Sequence, residues 1–186
     1  AIRLLAAVAS ATGPLAFTAD DYAHGAAFVT QAAGMQGPAR AVAEWNTDEV
    51  AETDAQIPWR GGMLRGRVYQ PSSGGQVQPA AALGAPPSLL VPGVHAEGID
   101  EPRLIQFARD VGSMGRIVVT AELPDLKTYS ITPRSTDMIE DAALWLSRSA
   151  YAADGRVGLM GISFVGGLSI VAGSRASLRS PFAFAI

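Results

Sequence analysis

One short segment, residues 156–167, combines an apolar strand, a glycine-flanked serine and the start of a helix. Its sequence is Arg-Val-Gly-Leu-Met-Gly-Ile-Ser-Phe-Val-Gly-Gly. A serine on a tight turn between a strand and a helix holds its hydroxyl above the sheet, where a serine nucleophile is needed. The segment therefore favours a parallel sheet and makes Ser163 the first candidate catalytic residue. It also predicts a positive φ at Ser163, with Gly161 and Gly166 permitting close packing of the turn.

The same segment has other interpretations. Many parallel-sheet proteins carry a strand that ends in Gly-x-Ser and perform no chemistry there. A phosphate-binding P-loop would need a lysine followed by serine or threonine after the glycines, and none is present. A dinucleotide site would need glycines at Gly-x-Gly-x-x-Gly spacing, whereas Gly158 and Gly161 are three residues apart.

From Ser88 onward, predicted strands and helices alternate. Strands are expected at 88–91, 117–120 and 157–162, and helices begin near residues 100, 132 and 164. Because crossovers between parallel strands are right-handed, this order predicts an α/β fold with a mostly parallel sheet and helices on both faces. We expect the strand before Ser163 near the sheet centre, flanked by the strands at 89–91 and 117–120.

An antiparallel hairpin is predicted before this sheet, from about Val50 to Tyr69. Leu64, Gly66 and Val68 alternate with Arg65, Arg67 and Tyr69, which is typical of a strand with one solvated face. Residues 71–87 are rich in Pro, Gly, Ser and Gln, lack periodicity and are predicted to form a surface loop. Asp100 and Pro102 are expected to open the next helix, and Thr132-Pro133 the one after it.

Composition excludes several kinds of site. The 186-residue chain has no cysteine, so disulfides and thiolate zinc sites are excluded. It has two histidines, His24 and His95, and therefore cannot form a metal site of several imidazoles. A net charge of −3 without a basic block gives no electrostatic basis for binding nucleic acid. We predict neither a metal nor a cofactor, and the sequence leaves the oligomeric state open.

The first 45 residues are predicted to form a separate helical segment. Residues 1–19 are rich in Ala and Leu, and Ala9-Ser10-Ala11 has the small-x-small form of a signal-peptide cleavage site. The alternative is an ordinary amphipathic helix that leads into the fold. Gly13 and Pro14 interrupt the stretch, which is too short and mixed for a stable membrane span. Localisation therefore stays open between the cytoplasm and export or anchoring through a lost N-terminal segment.

Taken in order, three features of residues 50–175 resemble the N-terminal part of an α/β-hydrolase. They are the hairpin before a parallel sheet, the segment Leu90-Val91-Pro92-Gly93-Val94-His95, and the segment from Gly161 to Gly167. The resemblance is to serine esterases of the dienelactone-hydrolase-like and prolyl-oligopeptidase-like kind. It implies that Ser163 is the nucleophile of a nucleophile elbow. The backbone N–H groups of Phe164 and Val94 would then form the oxyanion hole.

The chain departs from the family pattern in two ways. Val165 occupies a position that is usually glycine or alanine, which predicts a tighter or distorted elbow. In this family the triad acid and histidine follow the serine, yet no His, Asp or Glu occurs after Ser163. We therefore expect residues 46–186 to be an incomplete α/β-hydrolase domain, truncated before its last strands. The triad acid and histidine are expected beyond Ile186, and the chain alone is expected to be nearly inactive.

His95 lies in the loop after the strand at 88–91, where it is either a residue that shapes the substrate site or a solvated loop residue. Asp100, Glu122 and Asp125 lie near the same edge and are assigned no role. The leading hypothesis is a serine hydrolase that cleaves an ester or related acyl bond of a small molecule through an acyl-enzyme. The alternative is a non-catalytic hydrolase-like domain that binds a small molecule or a partner. A nucleotide-binding domain would need phosphate-contacting glycines or a lysine after the first strand, which Pro92 to His95 do not supply.

Overall fold

The computed structural model describes residues 48–186 together with Gly25, Ala26, Val29 and Thr30. Residues Glu49–Ile186 form one compact unit. The predictions for residues 1–45, including His24 and the targeting segment, lie outside the described residues except at those four, which are helical. Within the described part, the strands are β1 (Glu49–Trp59), β2 (Gly62–Ser73), β3 (Gln76–Val77), β4 (Ser88–Val91), β5 (Val118–Ala121), β6 (Val157–Gly161) and β7 (Phe182–Ala185).

Five α-helices lie between these strands in the described part of the chain. They are α1 (Ala80–Leu83), α2 (Pro102–Gly112), α3 (Pro124–Lys127), α4 (Pro133–Ser147) and α5 (Val165–Gly173). A short 3-10 turn, Gly98–Asp100, precedes α2. Contrary to the sequence prediction, Asp100 therefore does not open α2, and Pro102 is the first residue of the helix. The N-cap is Glu101, whose carboxylate accepts the Leu104 N–H at 2.8 Å and so satisfies a helix N–H that lacks an intrahelical partner.

Six strands run in the order β1-β2-β5-β4-β6-β7, and β3 pairs with β2. The β1–β2 and β2–β5 pairs are antiparallel, whereas β5, β4, β6 and β7 are mutually parallel. The predicted α/β fold with a mostly parallel sheet is confirmed. One expectation was wrong: β6 is flanked by β4 and β7, not by β4 and β5. The crossover through α2 places β5 on one side of β4, and the crossover through α4 places β6 on the other side.

Strand β2 alternates as predicted where Leu64 and Gly66 are buried and Arg65 is exposed, but both of its faces are covered at Val68 and Tyr69. Val68 and Tyr69 are successive residues on opposite faces, and they are 1% and 0% exposed. Helix α2 causes the difference, because it packs over the Tyr69 face: a methyl group added at Gly112 would lie 3.7 Å from Tyr69 Cβ. The predicted helices on both faces of the sheet agree with this burial.

The predicted surface loop at residues 71–87 contains more regular structure than its composition indicated. Strand β2 continues to Ser73, and Gly74 and Gly75, with φ of 56° and 77°, form the turn into β3. A two-residue turn of this kind requires positive φ at both positions, which glycine adopts without steric cost. Residues 73–77 are exposed, as expected for a surface excursion.

The core beneath the sheet comes from helix α4 and from the strands at the middle of the sheet. Met138, Ala142 and Leu146 on α4 recur every four residues and are all 0% exposed, so they form one buried stripe of the helix. Val157 and Leu159 on β6 and Leu89 and Val91 on β4 are also fully buried. Strands that are buried on both faces consist of continuous apolar runs. Because β4 and β6 pair in parallel, their carboxyl ends lie side by side.

Candidate functional site

Ser163 occupies the turn between β6 and α5 and has a φ of 61°. The positive φ predicted from the sequence is confirmed. Among the described residues that are not glycine, only Tyr129 and Ser163 adopt a positive φ. A non-glycine residue in this region costs about 1–3 kcal/mol, so the surrounding packing must hold the turn in place.

Close contact between Gly161 and Gly166 supplies that packing. A Cβ atom added at Gly161 would lie 2.4 Å from the Gly166 nitrogen and 2.5 Å from its Cα. No side chain fits at Gly161 without moving the start of α5. Val165, where the family pattern has a small residue, is 0% exposed and belongs to the core. Gly166 therefore takes the position against β6, and the side chain of Val165 is accommodated inside the fold.

The loop after β4 lies directly beside this turn. The Ile162 N–H donates to the Val91 carbonyl at 3.1 Å, which joins the ends of the two strands. A Cβ added at Gly93 would lie 3.5 Å from Ile162 Cγ2. The side chain of Val94 packs against the core. Within residues 48–186, the N–H groups of Val94 and Phe164 donate to no backbone or side-chain acceptor.

A pocket of about 480 Å³ opens where the loop after β4 meets the turn. Ser163 and the two candidate oxyanion donors, Val94 and Phe164, all lie on its wall. No described residue forms a hydrogen bond with Ser163 Oγ. The rest of the pocket wall comes from the loop after β4, from the first turns of α2 and from the residue before Ser163. These residues are Pro92, Gly93, His95, Gly98, Glu101, Arg103, Leu104, Phe107 and Ile162.

His95 is on the wall of this pocket, and its side chain is 41% exposed. Its Nδ1 accepts the Glu97 N–H at 3.3 Å and lies 3.9 Å from the Glu97 carboxylate. A ring nitrogen that accepts a hydrogen bond carries no proton, so the neutral imidazole carries its proton on Nε2. In that form His95 is a hydrogen-bond donor through Nε2.

Comparison with known proteins identifies the architecture. No protein-family model matches the chain, and no curated protein matches it. Solved structures do match. A dienelactone hydrolase from Anabaena variabilis superposes with a TM-score of 0.56 at 20% identity, over 73% of this chain and 62% of that one. A thermostable esterase from Pseudomonas putida also gives 0.56, at 18% identity, over 98% and 54%. This protein has the α/β-hydrolase fold.

An esterase from Pyrobaculum calidifontis gives a TM-score of 0.50 at 19% identity, over 83% of this chain and 45% of that one. The chain thus spans about half the length of these structures. Within the α/β-hydrolase fold, the turn at Ser163 and the loop at Val94 are where the sequence resemblance placed the nucleophile elbow and the oxyanion loop. In the described residues no helix is long and apolar enough to cross a membrane. The described part also holds no group of three or more His, Asp or Glu side chains arranged to bind a metal.

Charged side chains lie on the side of the loop after β4 that faces away from the pocket, and the sequence assigned them no role. We call Arg65, Arg67, Asp100, Glu122 and Lys127 the edge cluster. Arg65 donates to Asp100 and, at 3.2 Å, to Glu122, and Arg67 donates to Asp100 at 3.1 Å. Lys127 donates to Glu122 at 3.2 Å. The hydrogen bond from Arg65 outweighs partial burial and lowers the pKa of Asp100.

A second group of charges joins acids of helix α4 to two arginines from elsewhere in the chain, away from the pocket. We call Arg60, Asp137, Glu140, Asp141 and Arg175 the α4 cluster. Arg60 donates to both oxygens of Asp141 at 2.9 and 2.8 Å, and to Glu140 at 2.6 Å. Arg175 donates to Asp137 and Glu140, both at 2.6 Å. The signal that could have indicated this cluster is the spacing of its acids, which places three carboxylates on adjacent turns of one helix.

Proposed function

We propose that this protein is a serine hydrolase that cleaves an ester or a related acyl bond of a small molecule. The observation that carries the proposal is the positive φ of Ser163 on a turn beside a pocket. A strained, non-glycine residue at the end of an interior strand indicates a position under functional constraint. The esterase and dienelactone hydrolase structures that share the fold support the same class of reaction.

The first step is attack of Ser163 Oγ on the substrate carbonyl carbon. The carbonyl π electrons move to oxygen, and the serine proton passes to a general base. The N–H groups of Phe164 and Val94 stabilise the resulting oxyanion, and each such donor contributes roughly 3 kcal/mol. Backbone donors leave the side chains free, which is why apolar residues suit these two positions. Collapse of the intermediate breaks the bond to the leaving oxygen, which takes the proton from the base and departs as the alcohol. Water then hydrolyses the acyl-enzyme, which releases the carboxylic acid and regenerates the Ser163 hydroxyl.

The general base is the part of the mechanism that the described residues do not supply. His95 carries its proton on Nε2 when neutral, so we assign it hydrogen bonding to substrate and not proton abstraction from Ser163. The family pattern puts the acid and the histidine after the serine. We therefore expect the 186-residue chain to react slowly, with a residual rate that depends on the oxyanion hole.

The test is covalent labelling of Ser163 by a fluorophosphonate, read by mass spectrometry of the peptide, together with hydrolysis of a p-nitrophenyl ester. We expect slow labelling of the wild type at Ser163 only. Added imidazole should accelerate labelling, because it supplies the base that the described residues lack. Ser163→Ala should abolish the label with and without imidazole. Ser174→Ala is the matched control, since Ser174 is an exposed serine just after α5 whose Oγ donates to the Val171 carbonyl at 2.8 Å.

Ser163→Gly provides a second deletion of the hydroxyl, and it separates chemistry from folding. It should abolish labelling as Ser163→Ala does. It should also be more stable than Ser163→Ala in urea, by about 1 kcal/mol, because only glycine relieves the positive φ. If the folded wild-type protein stays unlabelled in the presence of imidazole, the proposal that it is a serine hydrolase is wrong.

The second candidate is a non-catalytic domain that binds a small molecule in the same pocket. The absence of a hydrogen bond to Ser163 Oγ within the described residues favours it. This candidate predicts that an ester analogue binds equally to the wild type and to Ser163→Gly, and that neither protein is labelled.

A further inference from the structure

The loop that would supply the Val94 N–H has an attachment on each side. On the Ser163 side, Gly93 packs against Ile162. On the other side the chain turns sharply: the Gly98 N–H donates to the His95 carbonyl at 3.0 Å, and the Asp100 N–H donates to the Glu97 carbonyl at 3.1 Å. These bonds fix the internal shape of the loop. Apolar contacts also hold it over the sheet, since Val94 packs against the core and Ile99 is 0% exposed.

The edge cluster adds ionic contacts at the C-terminal end of the loop. Asp100, at the end of the loop, pairs with strand β2, where it contacts Arg65 and Arg67. The two arginines are two residues apart and so lie on one face of β2. Strand β2 also receives the Glu122 N–H at the Arg65 carbonyl, at 2.8 Å, so Glu122 is fixed to the same strand.

Gly98 shows how closely the loop fits this cluster. Its φ is 57°, and a Cβ added there would lie 2.8 Å from Glu122 Oε2 and 3.0 Å from Lys127 Cδ. Glu122 and Lys127 therefore pack directly against the loop backbone. Gly98 itself lines the pocket, whereas Asp100, Arg65 and Glu122 do not. The charged groups contact the loop from behind.

We infer that the edge cluster is a positioning device, in which Arg65 and Arg67 hold Asp100 so that the Val94 N–H stays beside Ser163. The inference rests on the proposed function for its catalytic consequence. Oxyanion stabilisation is strongly distance-dependent, because its donors must lie about 3 Å from the developing charge. Misplacement of about 1 Å can lower a rate by about a hundredfold. Loss of the ion pairs between Asp100 and the two arginines should therefore slow the chemical step and leave the affinity for an unreactive ligand unchanged.

The experiment compares Asp100→Asn with Asp141→Asn, which removes the same charge from the α4 cluster, away from the pocket. Amide hydrogen exchange at residues 93–101 reports the position of the loop without any chemistry. Labelling of Ser163 by a fluorophosphonate reports the reaction. We expect Asp100→Asn to speed loop exchange and to slow labelling about tenfold. Asp141→Asn should lower stability and change neither readout.

Two substitutions at Arg65 test the charge directly. Arg65→Met should reproduce the effect of Asp100→Asn, and Arg65→Lys should restore part of the wild-type labelling rate. If amide hydrogen exchange at residues 93–101 is unchanged in Asp100→Asn, the positioning role of the edge cluster is wrong, even if Ser163 is labelled normally. Equal slowing of labelling by Asp141→Asn would also overturn it, because the effect would then be general destabilisation. Equal labelling of the wild type and Ser163→Ala would instead overturn the proposed function.

Discussion

The edge cluster and the α4 cluster use the same chemistry in different surroundings. Each joins two arginines to carboxylates from distant parts of the chain. In the edge cluster, the paired side chains of Arg65 and Asp100 are 42% and 44% exposed, whereas the paired side chains of Arg175 and Glu140 in the α4 cluster are 29% and 10% exposed. Exposed ion pairs contribute about 0–1 kcal/mol each, because water screens the charges and ordering the side chains costs entropy. Removing one partner of a buried pair costs about 3–5 kcal/mol.

The connections made by the two clusters also differ. Arg60, at the tip of the β1–β2 hairpin, and Arg175, after α5, both bind Glu140 on α4. The α4 cluster thus joins three elements that are far apart in sequence. The edge cluster joins a pocket loop to the strand beneath it. The comparison separates two carboxylates: Glu140, at 10% exposure, joins distant elements, and Asp100, at 44%, contacts a loop of the pocket.

The largest effect should come from Glu140→Ala, which leaves Arg60 and Arg175 with fewer partners in a partly buried site. We expect a loss of about 3 kcal/mol in the free energy of unfolding, measured by urea denaturation. Asp100→Ala should cost about 1 kcal/mol or less, since its pairs are exposed. Equal losses in the two variants would show that burial does not separate the clusters.

A change of pH should also separate the two clusters, by a smaller change in the free energy of unfolding. Burial raises the pKa of Glu140, but hydrogen bonds from Ser177, Arg175 and Arg60 outweigh it and lower the pKa below its ordinary value. The hydrogen bond from Arg60 likewise lowers the pKa of Asp141. A carboxylate with a lowered folded-state pKa contributes stability above its unfolded pKa, about 4, and this is lost as pH falls through the folded value.

Stability should therefore be level above about pH 5 and should fall on acidification. Glu140→Gln should flatten the acid limb of a plot of unfolding free energy against pH. Asp100→Asn should flatten it less, although the pKa of Asp100 is also lowered by Arg65. A steeper acid limb in Glu140→Gln would contradict the direction assigned to that carboxyl.

Salt should produce the smallest effect. At 1 M NaCl the screening length falls to about 3 Å, so exposed pairs weaken more than buried ones. We expect amide exchange at residues 93–101 to rise a few-fold between 0.05 and 1 M NaCl, and the exchange of α4 amides to stay nearly constant. Matched sodium sulfate would be a poor control because it strengthens apolar burial, so the comparison should use chloride salts alone. A parallel rise in both regions would remove the distinction between the clusters.

Local features of the site were open to prediction, because each depends on neighbours within a few residues. Glycine at 161 and 166 and serine between them define a turn whose geometry follows from sterics, and the structure has the predicted φ at Ser163. Thr132-Pro133 marks the start of α4 for the same reason, and the Thr132 N–H donates to Ser135 Oγ at 3.2 Å. The roles of Ser163, Phe164, Val94 and His95 stay predictions.

By itself, the sequence determined the alternation of strands and helices, the fold class and the turn at Ser163. The tertiary structure decided that β6 lies between β4 and β7, because local periodicity does not encode the side on which each crossover places the next strand. It also decided that Tyr69 is buried beneath α2 and that Asp100 meets Arg65, 35 residues away. Such contacts depend on where the chain returns in space, and no pattern within a few residues specifies that.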